Sequence, residues 1–147
     1  MARDEPPFGV DPRVRSRDGR RGPSRPRRRS SPGPHAARAL GLLAAIGLVG
    51  QPDVALIDLR ERTERAKHGS IPGAVHAPYP ELQDNIRPGG MLYELASATG
   101  KRMLFYCAFG ERSAMAVQAA QDAGLISACH IAGGLDAWKK AQGPVEH

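Results

Sequence analysis

The stretch that decides the fold is MLFYCAFGERSAMAVQAAQDAG, Met103 to Gly124. Its first five residues are apolar without alternation, the pattern of a short strand covered on both faces. ERSAMAVQAAQDAG is dominated by good helix formers and reads as a helix beginning near Arg112, with Gly124 as its C-terminal stop. Strand, short bend and helix make one βα unit, and the same alternation repeats outward. VALIDL (54–59) and ACHI (128–131) are further apolar, β-rich runs. ERTERAK (61–67) and MLYELASATG (91–100) are shorter helical candidates, and LDAWKKAQG is a last helix ending at Gly143 and Pro144. The alternation predicts an α/β domain of three layers, with a central, mainly parallel sheet of about four to five strands flanked by helices.

A chain of 147 residues with 41% hydrophobic content supports one core. The net charge of +6 suggests a nucleic-acid partner until it is divided along the chain. Residues 1–35 hold ten Arg against four Asp or Glu, whereas residues 36–147 hold eleven basic and eleven acidic residues and are neutral. The first segment also carries seven of the 13 prolines and shows no hydrophobic periodicity. It is expected to be a disordered Arg/Pro-rich tail, followed by a single domain over 36–147. A nucleic-acid partner is not expected for that neutral domain. Two cysteines and five scattered histidines offer no zinc-site spacing, so neither a metal nor another cofactor is expected.

ARALGLLAAIGLVG (37–50) is too short for a membrane span, which takes about 20 residues. Its length and basic flank would suit a signal-peptide core. The favoured reading is a helix covering the sheet, with Leu40, Leu43, Ala44 and Gly47 on one face. The first strand follows within a few residues, so cleavage there would leave almost no spacer. This points to the cytoplasm, with export as the alternative.

Cys107 ends an internal strand, and a bend then leads into a helix. In open parallel sheets that edge is where ligands bind. A loop wrapping into a helix N-terminus aims several backbone N–H groups at one point, which favours a thiolate over a thiol. Gly110 permits a tight turn.

Three ordered stretches together resemble the rhodanese-like sulfurtransferase family, in its single-domain form: VALIDLRE followed by HGSIPGAVHAP, then FYCAFGERSAMA, then HIAGGLDAWKKAQGPVE. The second is similar to the family's active-site loop, Cys-x-x-Gly-x-Arg-Ser. The resemblance runs from Gln51 to Glu146. It implies that Cys107 takes a sulfane sulfur from a donor such as thiosulfate or a persulfide, low-molecular-weight or protein-bound. The sulfur is held as a persulfide and passed to cyanide or a thiol. Ala108, Phe109, Gly110, Glu111, Arg112 and Ser113 would form the substrate-binding loop. Arg112 would meet sulfite-like oxygens in bidentate fashion, and Ser113 would offer a hydroxyl and cap the helix. Asp58 and Arg60 would support the site as an ion pair. Cys129 and Trp138 read as core, with a resolving thiol as the second reading of Cys129, and His76 and His130 read as ordinary strand-end residues.

The chain departs from the family pattern in three places. Ser70 stands where the family usually has His. The family's first strand would fall in SSPGPH (30–35), where nothing is strand-like. Glu111 adds negative charge inside the loop, opposing Arg112 and disfavouring a dianionic donor, while Phe109 adds an apolar wall. Two other functions fit parts of the pattern. A cysteine-dependent phosphatase or arsenate reductase shares this type of fold, but such enzymes typically place five residues between Cys and Arg, and here four intervene. A non-catalytic rhodanese-like module is the other; inactive members commonly lack the cysteine.

Overall fold

A computed structural model describes residues 39–147. The Arg/Pro-rich stretch and its expected disorder lie outside the described residues. Within them the chain runs β1 (Ala39–Leu40), α1 (Leu42–Leu48), β2 (Val54–Asp58), α2 (Arg62–His68), β3 (Val75–His76), a 3-10 turn (Tyr79–Glu81), α3 (Leu82–Ile86), α4 (Met91–Thr99), β4 (Arg102–Tyr106), α5 (Glu111–Asp122), β5 (Cys129–Ile131) and α6 (Gly134–Lys140). The strands form one five-stranded sheet in the order β1-β5-β4-β2-β3, and every pairing is parallel.

The apolar runs explain the layers. Side chains alternate across a strand, so in β4 Met103 and Phe105 enter one core with Cys107 just beyond, while Leu104 and Tyr106 enter another. The first core is closed by Leu82 and Ile86 of α3, Leu92 of α4, and Ala116, Val117 and Ala120 of α5. The second is closed by Ala45 of α1 and by Leu135 and Trp138 of α6. A sheet covered on both faces needs strands without polar alternation, and those are the runs that stand out in the sequence.

Several boundaries differ from expectation. SSPGPH lies outside the described residues; the first strand among those described is Ala39–Leu40, paired with His130 and Ile131. Two residues are too few to register as a β-run, and Leu40, expected on a helix, is spent on this edge pairing. The covering helix therefore starts at Leu42, and its inward face turns accordingly. Ala45 is buried and Leu42, Leu48 and Val49 pack beside it, whereas Leu43 is 88% exposed and Ala44 and Gly47 also face outward. The last helix stops at Lys140, short of Gly143. Gly143 serves packing instead, because a Cβ there would sit 2.3 Å from the Trp138 ring. That ring is fully buried and its Nε1–H donates to Pro144 O at 2.8 Å. Among the described residues, no helix is long and apolar enough to cross a membrane.

Candidate active site

β4 lies between β5 and β2, and Cys107 is the first residue beyond its carboxyl end. The chain bends through Ala108, Phe109 and Gly110 before α5 begins at Glu111. Gly110 has φ +112°, a conformation that L side chains rarely adopt. That turn directs the Gly110 N–H at Cys107 Sγ, 3.1 Å away.

The other side of the bend is fixed by the Gly133–Gly134 turn at the start of α6. Leu135 N–H donates to Cys107 O at 2.8 Å and Asp136 N–H to Ala108 O at 3.0 Å. A Cβ on Gly134 would meet Cys107 O at 2.5 Å, so a glycine alone admits this approach. With the loop carbonyls held by α6, the Gly110 amide faces inward to the sulfur.

Cys107 itself is fully buried. Beside the loop opens a cleft of about 210 Å³ lined by Arg60, Glu64, His68, Ala108, Phe109, Leu135, Asp136 and Lys139. Cys107 is not part of that lining, whereas the next two residues of the loop, Ala108 and Phe109, are. Phe109 is 64% exposed, in keeping with an apolar wall at the mouth. Glu111 Oε1 lies 4.0 Å from Cys107 Sγ, and Glu111 is exposed, so its carboxylate sits on the solvent side of the sulfur.

Arg112 is placed differently from expectation. Its Nη1 and Nη2 donate to Glu64 Oε1 and Oε2, each at 2.8 Å. The bidentate fork expected to meet a donor is occupied by α2. The hydrogen bonds from Arg112 outweigh the opposing cost of burial and hold the Glu64 pKa down to about 2, and the same pairing raises that of Arg112. Glu64 also accepts from Glu61 N–H at 2.8 Å, so α2 is braced at its own N-terminus by the carboxylate that holds α5.

Ser113 is not the helix cap. Gly110 occupies that position without any side-chain cap, and Ser113 lies a turn inside, fully buried. Its Oγ is 3.0 Å from Gly110 O, 3.7 Å from Cys107 Sγ and 2.9 Å from His130 Nδ1. His130 is the residue that sequence reasoning passed over. A lone polar residue in ACHI gives no chemical signal; its place opposite Ser113 emerges only once β5 and α5 are packed. Cys129, its neighbour, points into the other core beside Leu104 and Tyr106. The two cysteines thus lie on opposite faces of the sheet, which argues against Cys129 as a resolving thiol.

Asp58 and Arg60 form an ion pair below the loop. Arg60 Nη2 lies 2.9 Å from Asp58 Oδ2 with both side chains buried, and Arg60 also donates to Gly69 O. Burial alone would lower the Arg60 pKa, but the hydrogen bond and charge of Asp58 prevail and raise it. Tyr106 O–H donates to Asp58 Oδ2 at 2.8 Å and accepts from Ile71 N–H at 3.1 Å. Its own pKa is raised, first by burial and then by the Asp58 charge. Ser70, at the position of the family's usual His, exchanges backbone hydrogen bonds with Glu146, each 2.8 Å. The network thereby joins the end of β2, the 69–71 segment and the C-terminal residues. Among the described residues, no cluster of His, Cys, Asp or Glu could hold a metal ion.

A family model, the rhodanese-like domain, matches residues 44–141. The chain belongs to the rhodanese-like domain family. A curated mouse relative, "Thiosulfate sulfurtransferase/rhodanese-like domain-containing protein 3", is 30% identical over 96 residues, covering 62% of this chain and 61% of that protein. Human "Thiosulfate:glutathione sulfurtransferase" is 30% identical over 89 residues, covering 56% and 76%. Among solved structures, a Rhodopseudomonas palustris protein of unknown function described as a possible tyrosine phosphatase, RPA3614, is 38% identical with a TM-score of 0.69, covering 75% of this chain and 85% of its own. The human single-domain sulfurtransferase TSTD1 is 29% identical with a TM-score of 0.59, covering 71% and 96%. The rhodanese-like match begins inside α1 and ends just after α6, so it takes in the Cys107 loop, the Asp58–Arg60 pair and the Gly-Gly turn.

Proposed function

We propose that the protein is a sulfurtransferase in which Cys107 carries the sulfur. The thiolate attacks the outer sulfur of thiosulfate, the S–S bond of the donor breaks, and sulfite leaves with the bonding pair. Cys107 then bears a persulfide whose terminal sulfur is anionic. Cyanide or a thiol attacks that sulfur, the Cys107 thiolate departs, and thiocyanate or a new persulfide is released. The observation that carries this reading is the Gly110 N–H held 3.1 Å from the Cys107 sulfur at the carboxyl end of a central parallel strand. The sulfurtransferases among the relatives support it.

The position of Glu111 supports a persulfide, small or protein-bound, over dianionic thiosulfate as the preferred donor, since its carboxylate oxygen lies 4.0 Å from the sulfur, where a like charge opposes a dianion. The packing of α1 into the second core makes residues 42–49 part of the fold, which favours action in the cytoplasm over export.

A phosphatase is the second reading, raised by the description of RPA3614. Against it stands Arg112, whose fork is spent on Glu64 and not turned toward the loop as a phosphate cradle requires. The loop also leaves four residues between Cys107 and Arg112, one fewer than is typical of such enzymes. Side-by-side assays decide the matter. Thiocyanate formation from thiosulfate and cyanide is expected, with no Cys107-dependent release of phosphate from an aryl phosphate; Cys107-dependent phosphate release would reverse the assignment.

A further inference from the structure

His130 takes no part in the transfer steps above, yet it lies against their centre. Strand alternation sends Cys129 and Ile131 into one core and His130 to the other face of the sheet, the face of Cys107. The imidazole is 5% exposed, with Nδ1 2.9 Å from Ser113 Oγ.

Three groups surround that hydroxyl, which has one proton to give. Gly110 O, at 3.0 Å, can only accept. The Cys107 sulfur, at 3.7 Å, can only accept once it is a thiolate. Gly110 O also accepts from Ala114 N–H at 3.0 Å, and the sulfur from Gly110 N–H at 3.1 Å, so the state of Nδ1 decides where the hydroxyl proton goes. A bare Nδ1 would claim that proton, whereas an Nδ1–H donates to Oγ and leaves it for the sulfur.

We propose that His130 is a positioning residue that acts on Cys107 through Ser113. As the Nδ1–H tautomer it donates to Ser113 Oγ, and the hydroxyl proton then swings from Gly110 O to the sulfur whenever the sulfur is anionic. No proton leaves the imidazole; only the direction of a hydrogen bond changes. The same device serves both halves of the transfer, because Cys107 is a thiolate both when it attacks the donor and when it departs from the persulfide. The inference rests on the reading of Cys107 as the sulfur carrier.

The surroundings fit a neutral ring. Burial lowers the His130 pKa and outweighs a hydrogen bond at the Ile131 backbone that raises it, and the charged groups on the neighbouring elements turn to other partners or to solvent. β1 carries no titratable side chain. On β4, Arg102 donates to Ser127 O and Tyr106 faces the opposite core with Asp58. On α5, Glu111 faces the sulfur and Arg112 holds Glu64, while Asp122 closes the far end of the helix. On α6, Asp136 pairs with Lys140, and Lys139 lines the cleft.

The test follows Cys107 alkylation by iodoacetamide in the full chain across pH, scored on the Cys107 peptide so that Cys129 does not contribute. Ser113→Ala and His130→Leu are each expected to slow alkylation near neutral pH by about three- to tenfold, the worth of one buried hydrogen bond, and to move the profile to higher pH. The double variant is expected to be no slower than Ser113→Ala. His130→Asn, whose amide N–H can stand where Nδ1–H stood, is expected to restore the rate to within about twofold of wild type. A purely structural His130 would lower thermal stability while leaving the pH profile in place. A wild-type profile in His130→Leu, or a further loss in the Ser113→Ala background, would overturn the proposal. Should His130→Leu fail to fold, an unchanged Ser113→Ala profile or a Ser113→Ala-like profile in His130→Asn would overturn it equally. If wild-type Cys107 itself proved inert, the sulfurtransferase reading would fall first and this inference with it.

Discussion

Glu111 places a carboxylate oxygen 4.0 Å from the sulfur that would carry the transferred atom. Two unit charges at about that distance in an exposed setting repel by about 1 kcal/mol, or roughly fivefold in rate. Glu111→Gln is therefore expected to raise thiosulfate turnover by about fivefold while changing turnover with a small persulfide donor less. Steady-state assays with both donors check this; equal or slower thiosulfate turnover would show that Glu111 does not oppose the donor. At this scale the sequence was a fair guide to which residues gather and a poor one to their partners. Cys107, Gly110 and the Asp58–Arg60 pair are legible because each is local, a bend or a two-residue spacing. The capture of Arg112 by Glu64, 48 positions away, is not, since nothing in the loop announces which helix will lie beside it.

At the scale of elements, the loop owes its shape to α6 as much as to its own sequence. The carbonyls of Cys107 and Ala108 are held by the first amides of that helix, and Gly134, at φ +63°, permits the contact. Gly134→Ala sets a methyl 2.5 Å from Cys107 O, against backbone that cannot swing aside. It is expected to cost about 2 kcal/mol in stability and to cut thiocyanate formation at least about tenfold. Gly47→Ala makes the matched control: it lies in α1 with nothing within 4 Å of the added Cβ, and should be neutral or stabilise by up to about 1 kcal/mol. Urea unfolding and the transfer assay together measure both, and a Gly134→Ala protein as active as wild type would show that α6 does not shape the loop. The long buried strands and α5 stand out in the sequence through runs of five or more residues. β1 does not, because two paired residues at a sheet edge leave no pattern, and the face of α1 followed from where β1 ended.

Across the molecule, the Glu64–Arg112 pair joins α2 to α5 and gives the fold a measurable acid response. Glu64 titrates near pH 2 in the folded protein against an ordinary value of 4.5. Its contribution is thus complete above the ordinary value and is lost as pH falls from there toward the folded one. With both side chains a little over a quarter exposed, solvent screening trims the effect to on the order of 1 kcal/mol. Glu64→Gln is expected to lower stability at neutral pH by about that amount, and the gap from wild type should close as pH drops toward about 2. Denaturant titrations at several pH values provide the check, and a gap that does not vary with pH would mean the pair adds nothing to the fold. The five-stranded parallel architecture was legible because covering both faces of a sheet demands unbroken apolar runs. The pairing of distant charges was not, because it depends on how the layers close.

Sulfur transfer by this protein turns on a single atom, the sulfur of Cys107, and on its ability to hold another. Intact-mass spectrometry after incubation with thiosulfate or a small persulfide tests this most directly. The expected result is a gain of one sulfur, about 32 Da, that disappears in Cys107→Ser and on addition of cyanide. No gain with either donor, or a gain that survives in Cys107→Ser, would contradict it.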